Sequence, residues 1–430
     1  MNQKNKDAFV LGLALFAMFF GAGNLIFPPF LGLVAGKSWV MCAVGFFLTA
    51  IGMPLLGIIA SAKAGGTIND IGNKVHPVFS KIFATIIILA IGPLLAIPRT
   101  GATTFEMGVL PNFPGISPVI SSIIFFGLTL YFVIKPSEIV DKIGKILTPV
   151  LLIVIFVIII KGFVSPVGTA ATAMEGNPFT KGFTEGYQTM DALASVVFAG
   201  VMLTALVGKG YKDVNEQVTI TIRAGIIAAI SLGVVYGGLM YLGSHANSVY
   251  PTTIDKSVLL MSITNTLLGD FGKVALGIVV SLACLTTSIG LTATVGTFFN
   301  KLSNNKLSYQ VIVIATSIFS GVFAIGGVEK ILAIAVPLLV TVYPITAVLI
   351  IMNVLDELMP KGAYIGAVFG ALLVSFYDGL SAIGINIAFL KNIISHIPLA
   401  DAGFAWVIPA ITFGIISAFL FKNDPNSCAE

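Results

Sequence analysis

The chain is 430 residues long, 57% apolar and 10% charged, with a formal net charge of +4 at pH 7. With its strongly positive mean hydropathy, this is the profile of a polytopic membrane protein and excludes a water-soluble domain. The basic residues are scattered through loops and are not interleaved with aromatics, so no nucleic-acid partner is expected.

A spanning helix needs about 20 apolar residues, and hydropathy predicts about twelve spans. In chain order they are Phe9–Val34, Trp39–Ala62, Ile82–Glu106, Ile116–Ile134, Ile146–Val164, Tyr187–Val207, Val218–Gly243, Val274–Phe299, Gln310–Ile325, Ile331–Leu355, Ala363–Asp378 and Phe404–Phe421. The longest loop, Ser165 to Gly186, is too short and too rich in small residues to bury a core. The first span follows a very short polar start and lacks a small-x-small cleavage site, so it is expected to remain in the membrane rather than be removed as a signal peptide.

That first span carries the sharpest local signal, Phe20-Gly21-Ala22-Gly23-Asn24-Leu25-Ile26-Phe27-Pro28-Pro29-Phe30. Glycine weakens a helix, and proline removes a donor and clashes with the preceding turn. At membrane depth, freed backbone groups are tolerated where they line a cavity. The span is therefore predicted to unwind midway and hold a small polar solute. A packing kink is the plainer alternative.

In the third span, Arg99 and Glu106 are seven positions apart and so share a helical face two turns apart. A direct pair would be long, which leaves each to find another partner. Ionised groups in a span cost roughly 2.5–3.5 kcal/mol on insertion scales and face protein or water. Asp191 lies near the start of the sixth span and Asp378 at the end of the eleventh. Asp191 and Glu106 are read as structural or gating charges, away from the Gly-x-Gly break and from the hydroxyls of the eighth span. His76, His245 and His396 fall at loops or interfaces, which gives no support to a histidine proton relay.

The sixth span contains Phe198-Ala199-Gly200, an echo of Phe20-Gly21-Ala22-Gly23. Small residues in spans also serve packing, so position carries more weight. Spans one to five and six to ten form two sets, each opening on an interrupted helix, and such matched interruptions point to a transporter's central site. Five is odd, so the second set enters the membrane from the opposite side and the repeat is inverted. Spans eleven and twelve lie outside it.

The eighth span contains Ala283-Cys284-Leu285-Thr286-Thr287-Ser288. Consecutive hydroxyls cannot all face one neighbour. Each can bond back to its own helix, or, with carbonyls freed at a helix break, supply the neutral oxygens that sodium takes. Carbonyls around Ala17 and Phe20 are the natural partners.

Loop charges orient the chain. With the N-terminus inside, inner loops carry among others Lys4, Lys6, Lys63, Lys74, Lys135, Lys142, Lys145, Lys209, Lys301, Lys306, Lys361 and Lys422, against Lys37, Lys161, Lys181, Lys256, Lys273, Lys330 and Lys391 outside. Both termini are thus expected to be cytoplasmic. Cys42, Cys284 and Cys428 are far apart, with no metal spacing and no disulfide suggested. Phosphate-binding loops, His-Glu-x-x-His and Gly-x-Ser-x-Gly are absent from the sequence, so no enzyme activity is expected.

The segment from Phe20 to Phe30 closely resembles the first-span signature of the bacterial branched-chain amino acid:cation symporters, the BrnQ-type carriers. Tyr187–Gly200 and Cys284–Leu291 are similar to that family too. The resemblance implies an all-α membrane protein of the LeuT type, with about twelve transmembrane helices, a five-plus-five inverted repeat, and helices 1 and 6 broken. It implies one transporter domain over residues 1–430, with repeats at about 9–164 and 187–355 and accessory helices at about 363–421. The implied activity is sodium- or proton-coupled import of leucine, isoleucine and valine across a bacterial inner membrane, with no cofactor beyond the coupling ion.

By the same resemblance, backbone N–H groups of Ala22, Gly23 and Asn24 hold the substrate carboxylate, with Gly21 freeing the backbone. Carbonyls at Phe20 and from Phe198 through Ala199 to Gly200 meet the amino group. Sodium is assigned to Ala17, Phe20, Ala283, Thr286 and Thr287, with Ser288 as the alternative should the register slip by one. Leu25 stands where neurotransmitter-type members carry an Arg, so no Arg gate is expected there. The sequence leaves open a carrier of this fold for another solute and, in another class, an ion channel, although no repeated filter is visible.

Overall fold

A computed structural model of the chain describes residues 3–134, 138–171, 173–360 and 362–421. Lys135, Lys361, Lys422 and Cys428 lie outside the described residues, as do the side chains of Lys142 and Lys145. Regular structure among the described residues is helical, apart from one isolated antiparallel bridge between Gly36 and Ala173.

The predicted spans have their helices. Among the described residues, seven helices are long and apolar enough to cross a membrane, and the bent pair Gln3–Phe19 and Ala22–Ala35 makes an eighth span. Four shorter apolar helices, Pro118–Ile134, Pro149–Val164, Tyr309–Ala324 and Val407–Leu420, occupy the remaining expected positions. Local chemistry sets several starts. Proline stands at the first turn at Pro77 and Pro178, where its missing donor costs nothing. The side chains of Asn177, Asp213 and Ser308 accept from backbone N–H groups of the first turn they precede. Large apolar side chains such as Ile82, Ile123, Ile153, Ile230 and Ile318 stay exposed on the outer faces, as they would against lipid.

The packing order carries the repeat. The first span packs on the seventh and the sixth on the second; the third packs on the ninth and the eighth on the fourth; the fifth packs on the eighth and the tenth on the third. Exchanging each span of one set for its counterpart five places along maps every one of these contacts onto another in the list. Spans eleven and twelve pack on each other, and the eleventh on the tenth.

Three spans depart from a straight helix in ways that matter for the site. The first breaks at Phe20–Gly21, where its two halves meet at 74°. The third bends at Gly92–Pro93 and carries wide π-helical turns at Ala90–Leu94 and Thr104–Val109, with Arg99 between them. The sixth is longer than predicted. It begins with Pro178–Gly186, inside what reads as a loop in the sequence, and continues as Asp191–Gly208 after a break at Tyr187–Met190. The expected interruption at Phe198–Gly200 is therefore corrected: Phe198, Ala199 and Gly200 lie within a continuous helix. Met190 turns the chain with φ 62°, a left-handed conformation that L side chains rarely adopt.

Candidate functional site

The two breaks face each other across the core. At the first, Gly21 N–H donates to Phe19 O at 2.9 Å and to Asn24 Oδ1 at 3.2 Å. In an unbroken helix it would serve the carbonyl of Ala17. The break thus leaves oxygen lone pairs at the C-terminal end of Gln3–Phe19 and exposes the first N–H groups of Ala22–Ala35, at Ala22 and Gly23. A half-helix N-terminus carries partial positive charge, suited to an anion.

Asn24 bridges the breaks. Its Nδ2 donates to Asp191 Oδ2 at 2.6 Å and to the Tyr236 hydroxyl. Asp191 is the first residue of the second half of the sixth span, so it offsets that helix's positive end. Its expected place, distant from the Gly-x-Gly break, is corrected: Asp191 is bonded to the Asn of that motif. The charge was visible in the sequence, but its partner depends on a break position that composition did not reveal.

Arg99, which the sequence left without a named partner, finds one at the same place. Its Nη1 donates to Gln188 O at 2.7 Å, at the sixth-span break. The same guanidinium lies against Gly23, where an added Cβ would stand 2.7 Å from Nη2. It sits 5.7 Å from the Phe27 ring centroid, within cation–π range. Arg99 and Asp191 are each 4% exposed, and their opposite charges act on each other across the break.

The residues expected to hold sodium come together. Ala17, Phe20, Ala283, Thr286 and Thr287 line one cavity with Phe16 and Leu151. Its volume of about 20 Å³ admits about one water-sized occupant. Thr286 Oγ1 donates to Ala283 O at 3.0 Å. That bond uses its hydrogen and leaves both hydroxyl lone pairs for a cation. Thr287 faces the break, its methyl 3.9 Å from where a Cβ on Gly21 would lie. Ser288 points elsewhere: it is fully buried and accepts from Thr129 Oγ1 at 3.2 Å.

Of the remaining expected residues, Phe198 packs against Phe19, with ring centroids 5.7 Å apart. Ala199 is fully buried. Gly200 lies away from the breaks, against the Gly66 carbonyl. The carbonyls that could meet an amino group at the sixth span are those of the Tyr187–Met190 break.

Glu106 lies outside this constellation, as expected, and does structural work. Ser257 Oγ donates to its Oε2 at 2.5 Å and Val328 N–H to its Oε1 at 2.9 Å. One carboxylate so ties the third span to the starts of the eighth and tenth helices. Glu106→Ala strands both donors, at about 1–3 kcal/mol each. The variant is expected to melt several degrees below wild type in detergent, with Glu106→Gln in between; an unchanged melting temperature in Glu106→Ala would refute this clamp.

Comparison with known proteins adds family and fold. The family described as "Branched-chain amino acid transport protein" matches residues 4–424. The chain is 40% identical over 425 residues to the branched-chain amino acid permease BraB of Bacillus subtilis (strain 168), covering 96% of this chain and 95% of that one. Among solved structures it resembles Mhp1 in an inward-facing conformation (TM-score 0.65, 13% identity, 98% of this chain and 92% of that one). It also resembles MhsT in complex with L-phenylalanine (TM-score 0.57, 16% identity, 95% and 98%). Both structural likenesses are of fold: the LeuT-type arrangement with its two broken helices.

Proposed function

This chain belongs to the branched-chain amino acid transport protein family, a family of multi-pass membrane transporters and not of enzymes, and we propose that it imports leucine, isoleucine and valine with sodium by alternating access. The zwitterion's carboxylate binds the N–H groups of Ala22, Gly23 and Asn24, and its ammonium binds oxygens at the two breaks. The aliphatic side chain lies against the apolar residues that flank the breaks. One methylene is worth only about 1–3 kcal/mol in such a pocket, so all three substrates are accepted.

A single observation carries the coupling ion: one small cavity beside the first break is lined by Ala17, Phe20, Ala283, Thr286 and Thr287. These offer neutral hydroxyl and carbonyl oxygens, which suit sodium and provide no group that titrates. The excess of loop Lys on one side supports a cytoplasmic location for both termini, in a bacterial inner membrane. The transport unit is taken as one domain over residues 1–430. Its repeats run over about 9–164 and, with the sixth span now starting at Pro178, 178–355; the helices at 363–421 are accessory.

Purified protein in proteoliposomes tests this. An inward sodium gradient is expected to drive saturable leucine uptake that potassium does not support. Unsaturable current would make the protein a channel. Uptake that follows a proton gradient and ignores sodium would overturn the choice of ion.

A further inference from the structure

We infer that Arg99 and Asp191 form a charge-matched receptor for the two ends of an α-amino acid, Arg99 taking the carboxylate beside Gly23 and Asp191 the ammonium. This rests on the transport reading above and goes beyond its backbone contacts.

Both side chains are buried to the same degree, at 4% exposure. Buried charges are normally neutralised by a partner of opposite sign. Here the two charges act on each other across the break, but the hydrogen bonds that each makes are to neutral groups. Arg99 offers five donors, makes one hydrogen bond, to the carbonyl of Gln188, and keeps Nε unpartnered. Asp191 accepts from the Asn24 amide at 2.6 Å and the Tyr236 hydroxyl at 3.5 Å. The Gln188 side-chain oxygen beside them is also buried without a partner. A zwitterion supplies what neither charge gives the other directly, a hydrogen-bonded anion for Arg99 and a hydrogen-bonded cation for Asp191, in one molecule.

Placement fits the same role. The guanidinium abuts Gly23, so its charge adds to the positive end of the Ala22–Ala35 half-helix at the point assigned to the carboxylate. Asp191 opens the other half-helix and is held toward the first break by Asn24. Arg99 reaches this point from the third span while touching both broken spans. A bound carboxylate would then be held by the first and third spans of one repeat, and a bound ammonium by the sixth span, which opens the other. A plain strut between the breaks would need only the Gln188 bond.

The test is competition binding on the purified full-length protein with three ligands of one shape: leucine, leucinamide, which lacks the carboxylate charge, and 4-methylpentanoate, which lacks the amine. Wild type is expected to prefer leucine to either by about 100-fold. Arg99→Gln is expected to weaken leucine by about 30-fold or more and leucinamide by less than about threefold. Asp191→Asn should weaken leucine comparably and leave 4-methylpentanoate as tight or tighter. Arg99→Lys, which keeps the charge, should retain the preference for leucine over leucinamide.

Equal losses of leucine and leucinamide in Arg99→Gln would make Arg99 a strut and overturn the inference. Should Arg99→Gln fail to fold, the Arg99→Lys preference and the wild-type discrimination decide: a wild type indifferent to the carboxylate overturns it. If wild type binds another α-amino acid and no branched one, the substrate reading fails while the same comparison on that ligand, its amide and its deaminated acid still decides the receptor.

Discussion

In a purified Gly23→Leu variant, leucine binding is expected to fall by at least about 100-fold while the protein still inserts and remains monodisperse. Two costs combine at this position. The side chain covers the N–H groups at the start of Ala22–Ala35, and hydrogen bonds to a charged group are worth about 1.5–3 kcal/mol each. It also displaces Arg99, since even a Cβ on Gly23 would lie 2.7 Å from Nη2 and 3.0 Å from Cζ. Gly21 differs. A Cβ there meets nothing nearer than Asn24 Oδ1 at 3.8 Å, and its φ of −111° is open to any residue. Gly21→Ala is thus expected to cost much less than Gly23→Leu. Unchanged leucine affinity in Gly23→Leu would remove the substrate from the first break.

The second large effect is expected in the sodium response. Thr286→Val and Thr287→Val keep the shape of the side chain and delete its oxygen. If each hydroxyl binds the ion, losing it should raise the sodium concentration for half-maximal leucine binding by about tenfold or more, on the scale of one charge-assisted contact. Saturating sodium should restore much of the binding. Ser288→Ala serves as the control, because that hydroxyl bonds Thr129 and lies off the cavity. A wild-type sodium response in both Val variants would dismantle the ion site.

How far these residues were legible depends on what each break is made of. The first is written in Gly21, Gly23, Asn24, Pro28 and Pro29, whose intrinsic preferences oppose a straight apolar helix. The second is not. Gln188, Thr189 and Met190 include no glycine or proline, and Met190 is held at φ 62° by its surroundings. Phe198-Ala199-Gly200 looked more like a break and proved to be helix. Asn177-Pro178 was a readable helix start, hidden by a stretch too polar to score as a span. Hydropathy recovered the spans because each must be apolar over its length. The family resemblance singled out Ala17, Phe20, Ala283, Thr286 and Thr287, and the structure brings these five around one cavity. Arg99 and Asp191 stood out by charge, but their partners lie far along the chain, and only the packing of the third span against both breaks brings them together.

The 74° bend at Phe20–Gly21 has a thermodynamic consequence. The peptide units that end the first half-helix border the small cavity, and in the proposed arrangement sodium occupies that cavity while the units that begin the second half-helix hold the substrate. A single turn of backbone separates the two ligands, and neither can order it without changing what the other meets. The two binding equilibria therefore share one coupling free energy. By whatever factor sodium tightens leucine, leucine must tighten sodium, and the size of that factor measures how much freedom those few residues retain when only one of the two is bound.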